Sequence, residues 1–308
     1  MSQFNHSGPV FKSDSNFISA SNAEPNLAIQ SAGLSPSSLI SACGVMPGSF
    51  SISALPNNDY HSVANYLSST NLKQLFRSAA HFEAWKCRPK SSSTAAQRIG
   101  TALHSAVLEP YHFLSQYCVF SGARRGRSWQ DFKTQNVTTE ILSELEYAQV
   151  VGMRDAILNF PAFDLAALIH DGRSEESIFW FDEKSGEKFR ARCDLLHPDV
   201  ILDLKTTTDA RPHMFVKQAQ TNAYEIQAAH YIDGVEKLTG EKKPFWFVAV
   251  EIDPPHGVWI HESGAELIAL GRSKINQALQ NYRESQTQGA QLGYSNPWTE
   301  LNYGSSRK

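Results

Sequence analysis

The stretch Phe189-Arg190-Ala191-Arg192-Cys193-Asp194-Leu195-Leu196-His197-Pro198-Asp199-Val200-Ile201-Leu202-Asp203-Leu204-Lys205-Thr206-Thr207 decides how this chain is read. Over residues 188–195 it alternates with period two. Phe189, Ala191 and Cys193 fall on one face, and Arg190, Arg192 and Asp194 on the other, which predicts a strand. His197-Pro198-Asp199 turns the chain. A second strand is expected over 200–205, with Val200, Leu202 and Leu204 inward and Ile201, Asp203 and Lys205 on the opposite face. Pairing of the two strands as a hairpin brings Asp194, Asp203 and Lys205 to one edge of a sheet. Two neighbouring carboxylates repel and need a proton or a cation between them. An oxygen-rich set of this kind suits Mg²⁺, with Mn²⁺ as substitute. A lysine beside it can orient a water and neutralise charge on a phosphoryl group. A lone Asp-x-Lys on a strand equally describes a surface ion pair, so its surroundings carry the argument.

Upstream, Ser68-Ser69-Thr70 offers N-caps for a helix over 71–78, continued or restarted over 79–85. A helix over 96–108 carries Ile99, Leu103 and Val107 as an apolar stripe and stops at Glu109-Pro110. A third helix is expected over 138–159 and a strand over 177–181. Downstream, a helix over 215–238, strands over 245–252 and 258–261, and a last helix over 265–283 complete an α/β pattern. The 308 residues hold 41% hydrophobic side chains, enough for a sizeable core, and 28 basic against 31 acidic residues. A uniformly basic coat protein is therefore excluded, while a locally basic groove is not. Residues 71–133 carry ten basic side chains against only Glu83, Glu109 and Asp131, which either line such a groove or lie on several solvated faces. Residues 1–55 are Ser-rich and lack period, and are expected to be a disordered tail. A domain over 56–290 and a C-terminal tail over 291–308 complete the expected organisation. The four cysteines are far apart, with no Cys-x-x-Cys, so no iron–sulfur cluster is expected and a cytoplasmic protein is the default. No apolar run suits a membrane span.

The order of motifs is more specific than any one of them. Gly100-Thr101-Ala102-Leu103-His104 precedes Glu175-Glu176-Ser177; Asp194 and Asp203-Leu204-Lys205-Thr206-Thr207 follow, then Gln227 and Tyr231. This series resembles the PD-(D/E)XK nuclease superfamily. More narrowly, it resembles the RecE (exodeoxyribonuclease VIII) branch of recombination exonucleases, functional relatives of the phage lambda exonuclease. Asn58-Asp59-Tyr60-His61 and Ser78-Ala79-Ala80-His81-Phe82-Glu83-Ala84-Trp85 share in the likeness, which spans about 56–285. It implies a restriction-endonuclease-like core, a mixed central sheet flanked by helices. It implies His104, Asp194, Asp203 and the Leu204 carbonyl as metal ligands and Lys205 as the catalytic lysine. Gln227 and Tyr231 would support the scissile phosphate, and Glu176 is an acid at the first core strand, with a salt bridge to Arg190 or Arg192 as its alternative. The nine-residue interval from Asp194 to Asp203 is short for that branch.

The activity so implied is Mg²⁺-dependent digestion of double-stranded DNA ends from the 5′ side, leaving 3′ single strands for a single-strand annealing protein. A ring-shaped homo-oligomer is implied as well. Arg124-Arg125-Gly126-Arg127 with Trp129 reads as a DNA-binding loop that grips phosphates, or as a solvated basic turn. Competing readings are a RecB-like or endonucleolytic nuclease and a catalytically dead DNA-binding module. The RecB-like reading is weakened by the lack of cysteine after Cys193, because such relatives often carry a four-cysteine iron–sulfur cluster, and the dead module by the intact His104, Asp194, Asp203 and Lys205.

Overall fold

The computed structural model describes residues 48–53, 55–63, 65–89, 94–288 and 293–294. Of the tails expected over 1–55 and 291–308, residues 1–47 and 295–308 lie outside the described residues. Six strands form one sheet: β1 (Phe50–Ile52), β4 (Arg173–Asp182), β5 (Glu187–Leu196), β6 (Ile201–Thr207), β7 (Phe245–Glu251) and β8 (Val258–Glu262), adjacent in that order. β4, β5 and β6 run as an antiparallel meander, and β6 pairs parallel with β7. The sheet is mixed, as the sequence led us to expect. β1 comes from within the stretch read as a tail: Phe50 pairs with Phe179 and stacks on its ring at 5.1 Å.

Helices cover both faces. On one side lie α2 (Ser69–Arg77), α3 (Ala79–Lys86), α9 (Pro212–Asn222), α10 (Tyr224–Thr239) and α11 (Ala265–Gln288), packed on Ile178, Cys193, Ile201 and Phe247. α10 and α11 approach closely enough that a Cβ at Gly271 would lie 2.0 Å from the Glu225 carbonyl oxygen. The other side carries α4 (Ala95–Leu108), α7 (Glu144–Leu158) and α8 (Leu165–Asp171) over Leu195, Leu202, Leu204 and Val248. With both faces covered, β6 reads as a continuous buried run, so Ile201 is as buried as Leu202, and no face of that strand is left to solvent. α1 (Asn57–Ser62) places Tyr60 beside β1.

Two expected helices are divided. The one over 215–238 breaks at Ala223, which adopts a left-handed backbone (φ 50°) between α9 and α10. The one over 138–159 begins only at Glu144. Residues before it form β3 (Glu140–Ser143), parallel to β2 (Tyr117–Phe120). Ser143 then caps α7 through a reciprocal capping box with Glu146, worth about 1 kcal/mol. β2 follows α5 (Pro110–Gln116), and α6 (Gly126–Gln135) links β2 to β3. That excursion carries the Arg124–Arg127 loop.

Candidate active site

The β5–β6 ladder is short. Leu195 pairs with Leu202 and Leu196 with Ile201; beyond them, toward Asp194 and Asp203, the strands separate. The regular alternation of β5 also slips there: Cys193 and Leu195, two residues apart, enter opposite core layers. The opening exposes ladder groups that side chains then satisfy. The Leu204 N–H donates to Asp194 Oδ2 at 2.7 Å, so the carboxylate replaces a strand partner. The Leu204 carbonyl lies 3.1 Å from His104 Nε2, and His104 Nδ1 is 3.4 Å from Asp194 Oδ2. His104 reaches this point because α4 lays Leu103 and Val107 on the sheet, leaving the next position to face the gap.

A third acid enters from β4. The register of Ser174 with Leu195 and Glu176 with Cys193 sets Glu175 across from Asp194. Glu175 takes a left-handed backbone, φ 51°. His104, Glu175 and Asp194 offer donor atoms that all lie within 4.8 Å of one another. Burial pushes the Glu175 carboxyl up to about 8, the charge of Asp194 adds to this, and Arg192 at 3.9 Å opposes it. A mixed imidazole–carboxylate set crowded by like charge fits a divalent cation.

Asp203 has different partners. Its Oδ1 accepts from Gln227 Nε2 at 2.6 Å, and its Oδ2 forms an ion pair with Lys205. Burial, together with Asp194, raises the Asp203 carboxyl to about 6 although Lys205 pulls the other way. Burial works against the Lys205 charge, but Asp203 and Asp194 outweigh it and raise the ammonium overall. Tyr231 lies one turn beyond Gln227 on α10. Burial, reinforced by Tyr60, Asp203 and Asp194, holds its phenol well above the ordinary range, so it can serve as a donor and not as a base.

Thus His104, Asp194, Asp203, Leu204, Lys205 and Gln227 converge, with Tyr231 beside them. Glu176 departs from the expected role. It is fully buried, accepts from Ser53 Oγ at 2.6 Å and pairs with Arg173 at 3.1 Å, not with Arg190 or Arg192. Its neighbour Glu175 holds the position near the metal-type cluster, because a left-handed residue redirects the strand. The adjacent acids Glu175-Glu176 were the only sequence signal, and they could not show which one faces inward.

The Arg124–Arg127 loop is divided as well. Arg124 donates to Glu146 at 2.5 Å and to the Ile141 carbonyl at 2.8 Å, and Arg98 pairs with the same carboxylate at 2.9 Å. Burial works against the Glu146 charge, but the Ser143 backbone and both guanidiniums bring its carboxyl down to about 2. Arg124 is therefore tied into the small β2–β3 unit. Arg125 is exposed, and Arg127 reaches Asp131 only at 3.8 Å with its side chain 95% exposed.

A family model described as a PDDEXK-like domain of unknown function (DUF3799) matches residues 68–296. No curated protein matches. Among solved structures, a protein named as a putative exonuclease from Eubacterium rectale is similar with a TM-score of 0.55 and 17% identity. That alignment covers 77% of this chain and 88% of the other. A second structure, SSO0001, gives a TM-score of 0.26 at 10% identity over 67% of this chain and 84% of that one, and carries no argument.

Proposed function

The chain belongs to the PDDEXK-like family, and from that premise we propose that it is a metal-dependent exodeoxyribonuclease of the RecE type. It would act on linear double-stranded DNA, digest the 5′ strand and leave 3′ single strands for an annealing protein. The observation that carries this reading is the junction of a His104–Glu175–Asp194 donor cluster with an Asp203–Lys205 ion pair at the opened end of two strands. The name of the Eubacterium rectale protein points the same way.

His104, Asp194, Glu175 and the Leu204 carbonyl would hold the cation, with Asp203 beside them; Mg²⁺ is the proposed ion. When bound, it would polarise a phosphoryl oxygen and acidify a water. The chain's own groups do the rest. Gln227 orients Asp203 by donating to Oδ1. Lys205 keeps its proton and brings a positive charge to the place where negative charge grows on the phosphoryl oxygens. The Tyr231 hydroxyl, which burial keeps protonated, would be a donor toward the same region. Arg125 and Arg127, on an exposed turn, are suited to phosphates of an approaching duplex. A ring of several copies would let a chain with a slight acidic excess hold DNA through its basic segment.

The test is an end-labelled linear duplex incubated with Mg²⁺ or with EDTA, beside the same DNA as a closed circle. Mg²⁺-dependent release of nucleotides from linear DNA alone is expected. Rapid cutting of intact circles would replace the reading with an endonuclease, and binding without cleavage under any divalent ion would leave a DNA-binding module.

A further inference from the structure

Lys73, on α2, is a half-buried cation outside the donor cluster and the Asp203–Lys205 pair. Its ammonium lies 5.5 Å from the centre of the Tyr224 ring. Lys205 lies 5.1 Å from the same ring centre. Tyr224 is itself buried and held by Gln218, whose Nε2 donates to its hydroxyl at 3.2 Å and to the Thr206 carbonyl at 3.1 Å. The ring is thus a fixed platform bearing two ammonium groups.

The carboxylates near Lys73 are already engaged. Asp203 holds Lys205, and Glu225 holds Lys274. Among the described residues Lys73 has no ion pair or hydrogen bond. Burial, and then the charge of Lys205, lower its ammonium to about 8, which marks a cation short of compensation. An ammonium so placed gains by accepting an anion with several oxygens, since each of its three protons can be donated.

We propose that Lys73 binds the phosphate of the DNA strand next to the one being cleaved, with Tyr224 setting its position relative to Lys205. This rests on the nuclease reading and extends it by naming a substrate contact. Consecutive phosphates of one strand are close enough to be held by two cations standing over one ring. A lysine suits such a contact because it reads a phosphate as a point charge and leaves the base sequence unread.

The experiment uses the full chain, Mg²⁺ and linear duplexes carrying a single methylphosphonate, which is neutral, at the first, second or third linkage of the degraded strand. For the wild type, one position flanking the cleaved bond should lower kcat/KM by about 10- to 100-fold, the scale of one lost charge-assisted bond. Lys73→Met, which keeps the stem over Tyr224, should lower kcat/KM on unmodified DNA by a similar factor and lose sensitivity at that position alone. Lys73→Arg should restore it. A purely structural lysine would slow cleavage of every substrate equally and leave the interference profile unchanged; that result overturns the proposal. If Lys73→Met does not fold, Lys73→Gln serves the same comparison. Wild-type protein that cleaves no DNA at all would overturn the nuclease reading itself, a distinct failure.

Discussion

Replacing Glu175 by glutamine tests whether the crowded acids at the strand opening form a cation site. In the metal-free protein the Glu175 carboxyl lies at about 8 against 4.5 for a free glutamate. Below the free value both folded and unfolded chains carry the proton, and the group costs nothing. Between 4.5 and about 8 only the folded chain retains it, so stability falls as pH rises; above that window the loss is complete. Across that window each pH unit corresponds to ~1.4 kcal/mol. The side chain is 23% exposed and Arg192 stands 3.9 Å away, so the realised loss is set well below the full product, at about 2–3 kcal/mol. That corresponds to roughly 5–10 °C in Tm for a domain of this size. Glu175→Gln removes the titration and should flatten the decline. The loss of the long Arg192 pair opposes this by under about 1 kcal/mol. The assay is thermal unfolding in EDTA at pH 5 and pH 8.5, repeated with Mn²⁺. Wild type should lose more Tm than the variant between the two pH values and should regain more on adding Mn²⁺, because a cation at 100 times its Kd stabilises by ~2.7 kcal/mol. Parallel pH curves, together with equal Mn²⁺ gains, would refute the placement of Glu175 in the site.

Asp203→Asn should keep the Gln227 contact through its remaining oxygen and preserve the fold by circular dichroism, while cleavage drops by at least about 100-fold; a folded variant with normal turnover would remove Asp203 from the chemistry. Lys205→Ala should lower single-turnover cleavage far more than DNA affinity, and the reverse pattern would make it a phosphate anchor. Ca²⁺ in place of Mg²⁺ should support DNA binding with little cleavage, because it tolerates looser geometry; a gel shift and a cleavage assay on one sample decide it. In the basic excursion, Arg124→Ala should cost about 1–3 kcal/mol of stability by breaking the bond to Glu146. Arg125→Ala with Arg127→Ala should leave Tm unchanged and flatten the salt dependence of DNA binding.

Strands β4 to β8 and most helices were legible because their signals are local. Period two over 188–195, the Pro198 turn and the caps before α2 depend on neighbours within a few residues. The ordered series from His104 through Asp194, Asp203 and Lys205 to Gln227 was legible through its likeness to a known family, and the elements that carry those residues bring them together. What the sequence could not decide were choices made by contacts between distant segments. Phe50–Ile52 becomes a strand only because β4 offers an edge. Residues 140–143 leave the expected helix only because β2 pairs with them. Glu175 faces Asp194 and Glu176 faces Arg173 because one left-handed residue redirects β4, and no pattern in two adjacent glutamates records that. Arg124 is drawn out of a basic loop by Glu146, twenty-two positions away. Lys73 has no motif around it; its place at the Tyr224 ring that Lys205 also meets exists only once α2 and α10 pack. Local periodicity governs which elements form, whereas the partner of a charged side chain is selected by burial, where an unpaired charge costs most.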